Sequence, residues 1–249
     1  MAHQPAQPST NPQARVSHGG FFPPEDASLP ALPTCYASIC SFKSAESHSK
    51  GASIQDEPAQ KRYASILASR KPQDWPPSPI VDIDGLMEVE GADQVGVFPV
   101  VDMKKVDMRE FNKDKPVYER VELILYRLIK PLPSDGTDGY DANAHIVAHA
   151  FTVDRNGLLM GANHLGFGWS LGKAASLSYS LVMHVNAEEC VMRDGEDQWW
   201  IQEATFPRAG AGRGIVMSRI WSPDGVHVAT EYQDGLIRAF EEKPSREKL

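Results

Sequence analysis

The sequence predicts an α+β fold in which an antiparallel sheet wraps a single buried helix, and three observations carry that expectation. Residues 142–154 place Ile146, Ala150 and Val153, with Val147 and Phe151, on adjoining helical faces, and a helix apolar nearly all round is a buried one. Three runs of strand character follow, at 176–185, 199–206 and 214–221. The last is joined to 226–233 by Ser222-Pro223-Asp224-Gly225, where proline presets φ and glycine permits a positive one, so the two strands close an antiparallel hairpin. One helix followed by a meander of long strands argues against alternating β and α units.

Taken in order, the chain begins with a Pro-rich stretch. Twelve of its nineteen prolines fall within residues 1–80, and residues 1–33, rich in Pro, Gln, Ser, Asn and Gly without apolar period, are expected to be disordered. Residues 36–42 alternate like one short strand, 60–69 suit a short helix, and Trp75-Pro76-Pro77-Ser78-Pro79 reads as an extended linker. The domain boundaries expected are therefore 1–33, 34–76 and 77–249. Further on, 97–101 and 117–129 read as strands and 131–141 as a loop.

Composition narrows the function. With 249 residues, 41% hydrophobic and 23% charged, the chain can bury a real core. A net charge of -8 speaks against nucleic-acid binding, which needs a basic surface to neutralise phosphates. Cys35, Cys40 and Cys190 are an odd set without metal-type spacing, and there is no signal peptide or membrane-spanning run, which together suggest an intracellular compartment, peroxisome or cytoplasm. The final Glu247-Lys248-Leu249 approximates a peroxisomal Ser-Lys-Leu address, with Glu in place of the small residue; the alternative is a solvated charged tail.

Two glycine-rich motifs invite chemistry. Gly168-Trp169-Ser170-Leu171-Gly172 fits the Gly-x-Ser-x-Gly nucleophile elbow of α/β-hydrolases, with Asp224 and His227 downstream in the right order. An elbow needs a buried strand before its serine and a helix after it, and residues 161–167 are not such a strand, so the segment reads as a loop between helix and sheet. Gly210, Gly212, Arg213 and Gly214 lack the Gly-Lys-Ser/Thr ending of a phosphate loop and read as a hairpin turn or bulge. Arg213 remains a candidate contact for a phosphate. His145 and His149 stand at i, i+4 without a third ligand, so no metal or other cofactor is expected.

The stretch 199–238 carries a resemblance. Trp199-Trp200-Ile201-Gln202-Glu203-Ala204-Thr205-Phe206-Pro207-Arg208-Ala209-Gly210, then Arg219-Ile220-Trp221, Asp224-Gly225, Val228-Ala229-Thr230 and Gln233-Asp234-Gly235-Leu236-Ile237-Arg238 resemble the acyl-CoA thioesterase II family of double-hotdog proteins. A weaker match runs back to about Pro77. The resemblance implies a hotdog fold, the antiparallel sheet wrapped around a central helix, with an incomplete N-terminal hotdog remnant of which residues 38–46 look like the last strand. It implies hydrolysis of an acyl-CoA thioester, within fatty acid metabolism, by a water that the family positions with an Asp, a Thr or Ser, and a Gln. These map onto Asp154 in Phe151-Thr152-Val153-Asp154, Ser176 in Ala175-Ser176-Leu177, and Gln233 in Tyr232-Gln233-Asp234-Gly235.

The phosphate that Arg213 would meet is then that of CoA. Where the family has Asp-His after its hydroxyl residue, this chain has Ser178-Tyr179. Because such sites form where two hotdogs meet, the resemblance implies a homodimer or a hotdog partner chain. The competing readings are a non-catalytic hotdog acting as partner or acyl-binding subunit, a hydratase or dehydratase, for which these motifs supply no catalytic His, and a serine thioesterase using Ser170.

Overall fold

The computed structural model describes residues 13–19, 36–42, 45, 47, 53–84, 100–132, 140–195 and 197–240. They fall into two compact units divided between Ala52 and Ser53. In the first, β1 (Gln13–Gly19) runs antiparallel to β2 (Tyr36–Phe42), in register from Gln13 opposite Phe42 to Gly19 opposite Tyr36. β2 has the limits its alternation predicts. β1 lies inside the segment expected to be disordered; backbone pairing, which needs no apolar period, is what the composition does not report. The rest of 1–33 lies outside the described residues, as does the C-terminal Glu247-Lys248-Leu249.

The second unit opens with two single helical turns, α1 (Ala59–Arg62) and α2 (Ala64–Leu67), where one helix was expected; the chain breaks at Tyr63, at φ -114° and ψ 24°. Six strands then form one antiparallel sheet in the order β3-β4-β6-β7-β8-β5. They are β3 (Val101–Lys105), β4 (Val121–Leu128), β5 (Leu171–Met183), β6 (Trp200–Gly210), β7 (Arg213–Trp221) and β8 (His227–Ala239). Between β3 and β4 lies the short turn α3 (Arg109–Asn112), and between β4 and β5 lie α4 (Ala142–Val153) and α5 (Gly157–His164).

β3 starts where the strand expected at 97–101 ends, with 97–99 outside the described residues. It continues through Lys104 and Lys105, whose charges are matched by Asp102 and by buried Asp82. β4 begins later than its apolar pattern suggests, because Pro116 opens a 3-10 turn over Val117–Glu119.

Both faces of this sheet are covered, and period-two alternation divides them. Along β4, Ile124 and Tyr126 join a core with Val153, Leu158, Met160, Trp200, Phe206 and Ile220, the side on which α4 and α5 lie. Leu123 and Leu125 point the other way, into a second core with Ala59, Tyr63, Trp75, Ile201 and Trp221. Trp75, read from sequence as part of a linker, is therefore buried, and a boundary near residue 76 cuts through this packing. Its neighbours Pro76 and Ser78 are hydrogen-bonded to the edge of β3.

The hairpins follow local turn chemistry. Gly210 pairs with Arg213 across Ala211 and Gly212, at φ 51° and 73°, the doubly positive geometry of a tight two-residue turn. At 222–225, Gly225 at φ 80° donates its N–H to Ser222 O and Ser222 N donates to Val226 O.

Two helical expectations are corrected. α4 has the predicted limits, and Asp141 caps it through the N–H groups of Asn143 and Ala144. It is buried on one face only, by His145, Ala148, His149, Thr152 and Val153, while Val147 is 66% and Phe151 46% exposed. α5 is a helix to which the sequence reading assigns no element, since its two glycines mask an apolar face formed by Leu158, Met160 and Ala162.

Candidate active site

Three side chains from three separate elements meet where α4 ends against the sheet. Asp154 is the residue that closes α4, its N–H still bonded to Ala150 O. The chain then turns at Asn156, which sits in the left-handed region at φ 60° and starts α5 at Gly157. That turn is held from outside: the Asn156 amide donates to Pro79 O and accepts from Asp82 N, and the Arg155 guanidinium donates to Ile80 O.

Gln233 is 2% exposed on the inner face of β8, which excludes a surface strand role. Its amide nitrogen donates to Asp154 Oδ1 at 2.6 Å and to Ser176 Oγ at 2.9 Å. Ser176 lies on β5 opposite Gly235, just before a register shift between Ser176 and Ser178. One amide thus links the carboxylate of α4 to the hydroxyl of β5 across sequence separations of 79 and 57 residues.

Asp154 and Ser176 are both solvent-exposed, so the constellation opens outward while Gln233 anchors it from inside. Partial burial raises the Asp154 carboxyl above the ordinary aspartate value, against the opposing pull of the Gln233 amide and the Arg155 charge. The raised value makes its carboxylate a better proton acceptor than that of a free aspartate. Tyr179, where the resemblance implies a histidine, pairs directly with Gln233 and donates its hydroxyl to Ala150 O. Burial holds that phenol well above its usual pKa, so it stays neutral.

Gly157 completes the site and was not legible as a site residue. A Cβ built on it would stand 2.6 Å from Gln233 Oε1, the movable end of a side chain rather than backbone. Gly157→Ala is therefore expected to fold, displace the Gln233 amide and lower turnover about tenfold with little change in melting temperature. Steady-state kinetics beside a thermal melt would check this, and unchanged kinetics would mean that the amide position is immaterial.

The other candidates stand apart. Ser170 lies in a 3-10 turn, Gly168–Ser170, donates its hydroxyl to Phe167 O, and is followed by strand β5 rather than by a helix. The strand–turn–helix of a nucleophile elbow is absent there. Arg213 opens β7 and pairs with Asp234, so an incoming phosphate would have to compete with that carboxylate. His149 is a core residue, bonded to Tyr126 Oη and Cys190 O and held by burial near a pKa of about 4; His145 Nδ1 accepts from Met192 N. No group of three or more metal-ligating side chains occurs among the described residues.

A curled antiparallel sheet around α4, with a polar triad at the helix end facing the edge strand, defines a hotdog-fold protein. Comparison with known proteins gives a likeness over part of the chain. Residues 131–237 match the family model described as the acyl-CoA thioesterase C-terminal domain. A 64-residue stretch is 38% identical to mouse (Mus musculus) acyl-coenzyme A thioesterase 8, covering 26% of this chain and 18% of that protein. Its human (Homo sapiens) counterpart is 45% identical over 42 residues, 17% of this chain and 13% of that one. The matched stretches thus span less than a fifth of these relatives. The crystal structure of acyl-CoA thioesterase II TesB2 from Mycobacterium marinum shares the fold, with a TM-score of 0.55 at 22% identity over 94% of this chain and 75% of that one. Over residues 131–237 the chain is thus similar to the acyl-CoA thioesterase C-terminal domain, and its fold is that of a hotdog protein.

Among the described residues no helix is long and apolar enough to cross a membrane.

Proposed function

We propose that this protein hydrolyses acyl-CoA thioesters, with Asp154 as general base and Gln233 and Ser176 orienting the attacking water. The observation that carries this reading is the single Gln233 amide that fixes a carboxylate and a hydroxyl side by side at an exposed edge. Water placed between Asp154 Oδ and Ser176 Oγ attacks the carbonyl as Asp154 takes its proton; the oxyanion collapses, the C–S bond breaks, and the proton passes to the departing CoA thiolate. The products are a free acid and CoA, and no covalent enzyme intermediate forms.

Purified protein should release thiol from one or more of a panel of acyl-CoAs, with no labelling of Ser170 by a fluorophosphonate and near-normal activity for Ser170→Ala. Absence of activity with every chain length would favour a non-catalytic hotdog partner, a reading that the Ser178-Tyr179 replacement also supports.

The site lies at a sheet edge that invites completion. Among the described residues β5 pairs with β8 on one side only, and it exposes Leu177 (56%) and Val182 (48%), while Val147 and Phe151 of α4 are exposed as well. An open strand with exposed apolar side chains is a template for association. A second hotdog, from another copy or a partner chain, would cover it and wall the substrate site. Light scattering at micromolar concentration is expected to give the mass of a dimer; a stable monomer with full activity would contradict that assembly.

A further inference from the structure

The inner face of β8 holds a second carboxyl that the reaction above does not use. Glu231 is fully buried, two residues before Gln233 on the same face, opposite Ser218 of β7 and Leu181 of β5. Neither of its oxygens makes a sound hydrogen bond, and two further buried acceptors nearby, Gln233 Oε1 and Gln202 Oε1, also have no partner within the protein. Gln202 spends its amide N–H groups on Val153 O and Ser218 Oγ, and Gln233 spends its own on Asp154 and Ser176.

An ionised Glu231 would thus have the Ser218 hydroxyl as its one donor among these groups, and a buried carboxylate so poorly matched is among the most costly groups a core can hold. Trp200 Nε1 is a buried donor without a partner, but its ring packs against His149, one turn of α4 before Gln202's neighbour Val153. Protonation of Glu231 is the one change that converts an acceptor here into a donor. Residues i and i+2 of a strand are roughly 6.6 Å apart, a gap that a Glu and a Gln side chain close directly or with one water.

We propose that Glu231 is a positioning residue held as the neutral acid, donating to Gln233 Oε1 and so fixing the Gln233 amide with its N–H groups toward Asp154 and Ser176. This rests on the thioesterase reading only where turnover is concerned. The charged and titratable groups around it agree: Asp154 at the end of α4 and Tyr179 of β5 are the ones that face it, with Arg155 beside Asp154, and Ser218 and Gln202 are neutral. Burial first, and the Asp154 charge in addition, push its carboxyl up to about 8, against the Ser218 hydroxyl, which favours the ionised form. Above that pH the donor is lost and a second negative charge appears beside the base.

The sign for stability follows. The folded state favours the protonated form, so this contribution is full below the usual carboxylate pKa and is lost as pH rises through about 8.

The test uses the full chain and two substitutions. Glu231→Gln keeps a donor, and Glu231→Met keeps volume without one. A protonated-carboxyl band in infrared difference spectra at pH 6 should vanish in Glu231→Gln and titrate near pH 8 in the wild type. The Gln233 side-chain amide, assigned in 15N NMR by its loss in Gln233→Glu, should hold its position in Glu231→Gln and shift or broaden in Glu231→Met. Thermal midpoints of wild type and Glu231→Gln should agree near pH 4 and part by roughly 5 °C or more by pH 8, the variant higher. With acyl-CoA, wild-type kcat should fall on the alkaline side near pH 8, Glu231→Gln should lack that limb, and Glu231→Met should lose about tenfold in kcat at unchanged KM.

Absence of the infrared band at pH 6, or an unmoved Gln233 amide in Glu231→Met, would overturn the proposal. If the wild type cleaves no acyl-CoA while band and amide behave as stated, the thioesterase reading fails and the positioning of Gln233 by Glu231 stands.

Discussion

Asp154→Asn is expected to lower acyl-CoA turnover by about 10²- to 10⁴-fold in a protein that still folds, the usual cost of removing a general base. The substitution keeps shape and volume, and an Asn Oδ1 can accept the Gln233 N–H that Asp154 Oδ1 accepts at 2.6 Å. What disappears is the capacity to take a proton from water. The pH dependence gives the sign: Asp154 works ionised, so wild-type rates should fall as pH drops through its pKa. Burial places that limb above the ordinary aspartate value, in opposition to Gln233 and Arg155. Gln233→Ala should remove the same orientation by another route and also lower turnover. Ser176→Ala should cost less, since its hydroxyl is one donor among several and solvent reaches it. A folded Asp154→Asn protein with full thioesterase activity would eliminate the mechanism.

The second large effect concerns stability. Arg62→Leu is expected to destabilise the second unit by about 3 kcal/mol, toward the low end for breaking a buried ion pair because Arg62 keeps a quarter of its side chain in solvent. Glu203 on the outer face of β6 receives Arg62 Nη1 at 2.5 Å and Nη2 at 2.6 Å, Tyr63 Oη at 2.9 Å and Trp221 Nε1 at 3.0 Å. Burial by itself would raise this carboxyl, yet Arg62 and its companions outweigh burial and hold it below the usual glutamate value. Stability from the pairing is therefore present above the usual carboxylate pKa and lost as pH falls through the lowered folded value. Melts at pH 7 should show the Arg62→Leu midpoint roughly 6–12 °C lower, with the gap narrowing in acid, while activity at 25 °C is kept. A loss under 1 kcal/mol would mean that Tyr63, Trp221 and Arg219 suffice for the carboxylate.

The sequence by itself determined the elements whose causes are local. α4 has its capping Asp141 and its apolar run, and the turns at 211–212 and 222–225 carry Gly212 and Gly225, which tolerate their positive φ. The strands at 36–42 and 213–221 declare themselves by alternation and bounding turn residues. Asp154, Ser176 and Gln233 were marked as a set only by the family resemblance, without any indication that one amide would join them.

Tertiary structure alone decided which faces meet. The composition of α4 is apolar around its whole circumference, and only the curl of the sheet selects the face bearing His145, Ala148, His149, Thr152 and Val153 for burial. α5 gives no clear helix signal because its glycines carry little propensity; packing under Phe206, Val216 and Ile237 makes it a helix. The outer face of the sheet is closed by Tyr63 and Trp75, and Arg62 meets Glu203 across 141 residues. Glu231 carries no motif that marks it in the sequence. Burial of a carboxyl among acceptors depends on the register that sets β8 against β7 and β5, a long-range pairing that periodicity along one chain does not encode.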